Sequence, residues 1–232
     1  TSGHTIKWNG WPIRERLSQI APAVIESDVR ASTLAEAVYG AGRDHEIFLY
    51  LTVGTGISCC LALGKRPYAG AHGAALICAS SPLTSTCAEC GAINKVTLEE
   101  YASGPAIARR YQTSSQASSQ ASSQASSQET ISGAEEVIRA ARSGDARAIE
   151  IIRSAGHALG VTTGLLVNTL DPEAVVVGGG LGRADGIYWE SFLLSTREHI
   201  WAEDRRDLPI KHAALAHNGV IGAAMNFLRQ MG

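Results

Sequence analysis

Two glycine clusters, each set directly behind a short apolar run, constrain this chain more than any other feature. The first run, 46–53 (EIFLYLTV), passes into Gly54-Thr55-Gly56-Ile57, and the second, 174–177, passes into Gly178-Gly179-Gly180-Leu181. In the first, Ile47, Leu49, Leu51 and Val53 share one face and Phe48 and Tyr50 the other, the period-2 pattern of a strand. The second is continuously apolar, as in a short buried strand. Glycine tolerates positive φ and lets backbone N–H groups approach an anion. Successive N–H groups then form a concavity suited to phosphate. Each cluster alone has a plainer reading: Gly-Thr-Gly serves as a hairpin turn, and three glycines after a strand occur in Rossmann-like loops. The G-x-G-x-x-G spacing is not met, because Gly178 and Gly180 are followed by Arg183, and there is no Walker A motif.

The other elements are read from periodicity and punctuation. Residues 23–28 (AVIESD) predict a short strand, with Ser27 or Asp28 then capping a helix through Tyr39 that Gly40 and Gly42 end. A second strand is expected over 57–64, closed by Lys65-Arg66-Pro67. Helices are expected over 134–142, 145–170 and 220–230. Ile152, Ala155, Leu159, Thr163, Leu166 and Leu170 line one face of the second, which Asp171-Pro172 ends, and Asn218 is a candidate cap for the third. Interleaved strands and helices predict an α/β fold with a helix-covered sheet. Residues 113–128 repeat SSQA with no large apolar or charged side chain, and are expected to form a flexible surface insertion.

Composition narrows the function class. The chain has 232 residues, 45% apolar and 18% charged, enough to bury a core. A net charge of −2 leaves no basic footprint for nucleic acid. No apolar run approaches the roughly 20 residues of a membrane helix, and no secretory leader opens the chain. The five cysteines are odd in number, and adjacent Cys59 and Cys60 alternate faces, so a reduced, cytoplasmic protein is expected. Beginning at Thr1, the chain reads as a fragment or a processed form.

The third candidate feature is Asp28, a carboxylate at the end of the 23–28 run and the start of a helix. Alone it reads as a cap; rigidly placed and ionised, it also suits a base taking a proton from a hydroxyl.

Together these features resemble the ROK family (repressors, open reading frames and kinases) of the actin and hexokinase superfamily. Ile25-Glu26-Ser27-Asp28, continuing to Leu34-Ala35-Glu36 and Tyr39-Gly40-Ala41-Gly42, is similar to the family's V-E-N-D-A-N-A-A-A-L-G-E…G-A-G. Leu51–Ile57 is similar to its second phosphate motif, and Gly70-Ala71-His72-Gly73-Ala74-Ala75 to the segment leading into the sugar site. Leu98-Glu99-Glu100-Tyr101-Ala102-Ser103-Gly104-Pro105-Ala106-Ile107 resembles L-E-x-Y-A-S-G-x-A-I. Asp171-Pro172-Glu173 through Gly180 resembles the adenosine-side motif, and Gly219–Ala224 the C-terminal helix.

The resemblance implies an actin/hexokinase-like (ribonuclease H-like) ATPase fold. Residues 1–24 would be the remnant of a small N-terminal lobe and 25–232 the large lobe, interrupted by the repeat. It implies a glucokinase-like sugar kinase using ATP and Mg2+ on a hexose or N-acetylhexosamine. Asp28 would be the general base, Ser27, Asp28 and Glu99 would bind sugar, Gly54, Thr55 and Gly56 would cradle phosphate, and Gly178, Gly179 and Gly180 would lie near adenosine. It implies a homo-oligomer at full length. Two rival expectations are a sugar-sensing regulator without catalysis and a degenerate paralogue.

The chain departs from the family in four places. The first phosphate motif, D-x-G-x-T, is absent from 1–232, so this stretch alone is expected to be inactive. Ser27 replaces the sugar-binding Asn. Ile77-Cys78-Ala79-Ser80 stands where the family has E-x-G-H, which removes a sugar-contacting Glu and a His that binds both sugar and zinc. The family's C-x-C-G-x-x-G-C is reduced to Cys87-Ala88-Glu89-Cys90, so zinc is disfavoured and Cys87 and Cys90 are expected to be a thiol pair. His157, Trp8 and Trp11 read as packing residues, and Arg205-Arg206 as part of a solvated charged face.

Overall fold

The computed structural model describes residues 10–80, 82–120 and 133–231. A short helix, α1 (Ile13–Ser18), buries none of its residues and leads to α2 (Asp28–Tyr39). Strand β1 (Ile47–Val53) lies at the centre of the main sheet, with Phe48, Leu49, Tyr50, Leu51 and Val53 all at most 1% exposed. It pairs antiparallel with β2 (Ile57–Leu63) across the Gly-Thr-Gly turn, in the register Tyr50↔Cys60 and Val53↔Ile57. β3 (Arg66–Pro67) extends that edge. On the other side β1 runs parallel to β6 (Ala174–Gly178), with Thr52 opposite Gly178, and β6 runs parallel to β7 (Ile210–His212). The sheet order is β3-β2-β1-β6-β7. A strand set between parallel neighbours and covered on both faces has no polar side, which accounts for the unbroken apolar run at 174–177.

The two sheet faces carry separate cores. Leu49, Leu51, Val53, Ile57, Cys59, Val175 and Val177 pack with the helices on one face. These are α3 (Leu98–Ala102), α4 (Gly104–Gln120), α5 (Ala134–Arg142), α6 (Ala146–Leu170) and α7 (Ile187–Glu198). Phe48, Tyr50, Ala62, Ala174 and Val176 pack on the other face with Ala37 of α2 and Ala213. There α2 also lies against α8 (Asn218–Met231), close enough that a Cβ at Gly222 would overlap the Ala31 backbone. A glycine stripe in α6 does the same for α7: side chains at Gly156, Gly160 or Gly164 would strike the α7 backbone or its C-terminal His199. A two-stranded hairpin, β4 (Pro82–Thr86) with β5 (Ile93–Thr97), stands apart from the main sheet and precedes α3.

The helices expected over 28–39, 134–142, 145–170 and 220–230 are present within a few residues. The strand expected over 23–28 is not. Ser27 has extended backbone (φ −75°, ψ 146°), but the sheet edge is taken by β3, and 23–28 finds no ladder partner among the described residues. The repeat also differs from expectation over its first residues. Backbone 113–120 continues α4, consistent with the tolerable helix propensity of Ala, Gln and Ser. The rest of the repeat lies outside the described residues. No helix among the described residues is long and apolar enough to cross a membrane.

One buried carboxylate ties the second face together. Glu36 is 0% exposed. Its Oε2 accepts the amides of Ala41 (2.8 Å) and Ala214 (3.1 Å), and its Oε1 accepts the amide of Leu215 (3.0 Å) and the side-chain amide of Asn218 (3.2 Å). Asn218 also donates to the Tyr50 hydroxyl at 2.9 Å. Removing the carboxylate takes the acceptor from four part-buried donors, so Glu36→Ala is expected to lower unfolding free energy by about 3 kcal/mol, measured by urea titration. Gly179 makes a second test. At φ +83°, a Cβ there would overlap the Val53 carbonyl. Gly179→Ala is expected to cost about 2 kcal/mol or more in the same titration, while Gly180→Ala, with open space around it, stays within about 0.5 kcal/mol.

Candidate functional site

The parallel pairing of β1 and β6 brings both glycine turns to one edge of the sheet. Past the last paired residues, the amides of Leu181 and Gly182 donate to the Val53 carbonyl at 3.0 and 3.1 Å. A Cβ on Gly54 would stand 3.6 Å from the Gly180 nitrogen. The first turn closes on itself, with the Gly54 amide donating to the Gly56 carbonyl at 2.9 Å. The Gly54 carbonyl accepts the Gly104 amide at 2.9 Å, which fixes the start of α4. Among the described residues, the amides of Thr55, Gly56 and Gly180 donate no hydrogen bond within the chain. Thr55 and Gly180 are exposed. Neighbouring turns with unused N–H donors form an anion cradle, and the residues present therefore fit a nucleotide phosphate chain.

Glu99 is held against this cradle. A capping box starts α3: the Thr97 hydroxyl accepts the Glu100 amide at 3.1 Å, and the Glu100 carboxylate accepts the Thr97 amide at 3.0 Å. This fixes the direction in which α3 starts. Glu99 Oε2 accepts the Ile57 amide at 2.8 Å and would lie 2.7 Å from a Cβ on Gly56, while the Glu99 amide donates to the Ala79 carbonyl at 3.1 Å. Glycine at 56 thus makes room for a carboxylate placed at the turn's exit.

Ser27 and Asp28 stand at the N-terminus of α2. The Ser27 hydroxyl accepts the Arg30 amide at 3.4 Å, a long cap. Glu26 accepts the Ser27 amide at 2.8 Å and pairs with the Arg30 guanidinium at 2.5 Å. The Asp28 carboxylate is exposed, and its Oδ1 accepts the Val29 amide at 2.8 Å. Among the described residues no hydrogen bond joins Asp28 or Ser27 to either glycine turn. The connection runs through the segment 68–80. At one side the Gly73 carbonyl accepts Arg30 Nη1 at 3.1 Å, and at the other the Ala79 carbonyl accepts Glu99.

Two of the departures from the family pattern lie on that segment and the hairpin after it. Ile77 is 61% exposed, and His72 and Ser80 are exposed. Cys87 and Cys90 are exposed at the β4–β5 connection, where the Cys90 amide, then that of Glu89, holds the Cys87 thiol below its usual range. Among the described residues no third His, Cys, Asp or Glu joins them in a metal-holding group. Two thiolates are half of a structural zinc set, so these residues do not fit zinc.

Two groups escaped the sequence reading. Glu36 sat in a recognised motif without a role. His212 lies beside the second turn, its Nδ1 3.0 Å from the Gly182 carbonyl and its Nε2 3.2 Å from Asp185, with Trp189 stacked on it at 3.9 Å between centroids. Its three-residue strand is too short to show a period.

Known proteins share this fold. The ROK hexokinase from Thermus thermophilus is 30% identical, with a TM-score of 0.77 over 95% of this chain and 71% of that one. The ROK family glucokinase from Streptomyces griseus, solved with glucose and AMPPNP, is 26% identical, with a TM-score of 0.77 over 95% of this chain and 73% of that one. NagC of Escherichia coli, a DNA-binding transcriptional dual regulator, is 26% identical over 94% of this chain and 53% of its own length. These neighbours assign the sheet and its helices to the actin/hexokinase-like fold. The ROK family profile matches residues 1–230, and this chain belongs to the ROK family.

Proposed function

We propose that the protein is an ATP-dependent sugar kinase acting on a hexose or N-acetylhexosamine. The observation that carries this reading is the meeting of the two glycine turns, with the amides of Thr55, Gly56 and Gly180 unused, at the edge that also holds Glu99. Magnesium ATP is the co-substrate. Gly54, Thr55 and Gly56 face its terminal phosphates, and Gly178, Gly179 and Gly180 lie toward the adenosine side. Mg2+ bound with the nucleotide would neutralise the charge of its phosphates.

Phosphoryl transfer needs little covalent help from the protein beyond positioning and charge neutralisation. Asp28, exposed and anchored at a helix start, accepts the proton of the attacking sugar hydroxyl. That oxygen bonds to the γ-phosphorus as the bond to the ADP oxygen breaks. Glu99 offers its second carboxylate oxygen to a sugar hydroxyl, and Ser27 offers its hydroxyl proton, since its oxygen already accepts Arg30. Ile77 can pair with no hydroxyl, which weakens sugar binding by roughly 1–3 kcal/mol relative to a Glu.

A second reading is a sugar sensor without catalysis. It is favoured by the NagC likeness. A coupled ADP-release assay over a panel of hexoses and N-acetylhexosamines separates the two, run on this chain and on the product of the gene including any coding sequence ahead of Thr1. The kinase reading expects sugar-dependent ADP release, lowered about 100-fold or more in kcat by Asp28→Ala. Sugar binding by calorimetry with no ADP release from either form supports the sensor, and unchanged turnover in Asp28→Ala removes Asp28 as the base.

A further inference from the structure

The segment 68–80 is held to β2 by sulfur. Cys59 Sγ, buried on β2, lies 3.0 Å from Cys78 Sγ and 3.1 Å from the Leu76 carbonyl. Leu76 has a positive φ of 59°, and its turn delivers Cys78, half-buried, onto the strand. Cys87 and Cys90 also contact each other, but at the exposed hairpin and away from this segment. Cys60 sits on β2 with its Sγ directed to the Leu61 and Tyr68 carbonyls, and Cys87 and Cys90 are exposed on the hairpin.

We propose that Cys59 and Cys78 form a reversible disulfide that tethers the segment 68–80 to β2, with a hydroperoxide as oxidant. The sulfurs are already closer than two non-bonded sulfur atoms ordinarily approach, so bond formation asks for a shift of about 1 Å toward the usual bonded length. The roles of the two differ. The contact with Cys78, together with burial, raises the Cys59 pKa, and the same contact lowers that of Cys78. Cys78 is therefore the attacking thiolate. Its sulfur displaces one oxygen of the peroxide to give a sulfenic acid, and hydroxide (or alkoxide) leaves with the electron pair of the broken O–O bond. Cys59 sulfur then attacks the Cys78 sulfur, its proton leaves with the sulfenic oxygen as water, and the S–S bond forms. For hydrogen peroxide, two thiols and one peroxide give one disulfide and two waters. The closed form pins a segment that contacts Arg30 of α2 through Gly73 and Glu99 of α3 through Ala79. The disulfide itself does not depend on the kinase reading.

The test uses Cys87→Ser/Cys90→Ser, which removes only exposed thiols. The folded protein is treated with hydrogen peroxide, alkylated under denaturing conditions, digested with trypsin and read by mass spectrometry. The expected result is a linked pair of peptides, one carrying Cys59 and the other Cys78, with a mass lower by two hydrogens and full reversal by dithiothreitol. The link disappears in an added Cys59→Ala and persists in an added Cys60→Ala. Should either addition impair folding, fragment ions from the linked peptides of the parent variant assign the bond to Cys59 or Cys60. Cys78 left fully alkylatable, Cys78 carried on to the sulfinic acid without a link, or a link to Cys60 overturns the proposal.

Discussion

The parallel ladder between β1 and β6 sets the terms for everything near the candidate site. Residues 52 and 178 face each other across it, so the chain leaves both strands at the same edge, and two turns more than 120 residues apart in sequence become neighbours. Val53's carbonyl takes the amides of Leu181 and Gly182, and Gly179 is glycine because any side chain would overlap that carbonyl. The cradle is thus a by-product of strand pairing. Among the described residues, its amides at Thr55, Gly56 and Gly180 donate no hydrogen bond within the chain.

A second constraint works on the opposite face. Glu36 joins the end of α2 to the connection after β7 and to the first residue of α8, and through Asn218 reaches Tyr50 in β1. A fully buried carboxylate is tolerable only when several donors surround it. Here they come from residue 41 and from the stretch 214–218, so Glu36 is a point where long-range contacts converge. Asp28 lies two helical turns before it on α2, and the orientation of its helix depends on this convergence.

The parts of the fold that could be read in advance were those with a local period. The alternation at 47–53, the apolar run at 174–177 and the long face of α6 are visible in the residues themselves. α7 was not, because its partner surface is a row of glycines in α6, and a glycine face gives no apolar signal. β7 has three residues, too few for a pattern, so His212 beside the second turn went unnoticed with it. The strand expected at 23–28 was misread because its apolar residues identify burial without identifying a partner. Glu36 shows the same limit: a charged residue among alanines reads as a solvated position until the donors around it are known. For the candidate site, Glu99 and both turns were legible through family resemblance, whereas the bond from Glu99 to Ile57 that fixes its place was not.

Family membership leaves two chemistries within reach of the same scaffold, since both a glucokinase and a DNA-binding regulator share it. What distinguishes a transferase is a phosphate chain seated on the glycine turns with a carboxylate able to take a proton. The seating can be observed without turnover, by following backbone amide resonances of the isotopically labelled protein during titration with magnesium AMPPNP. The account predicts shifts concentrated at Thr55, Gly56 and Gly180, with Gly91 and Gly144, which lie in turns elsewhere, unmoved. Unchanged spectra at saturating nucleotide, or shifts confined to residues away from both turns, would contradict it.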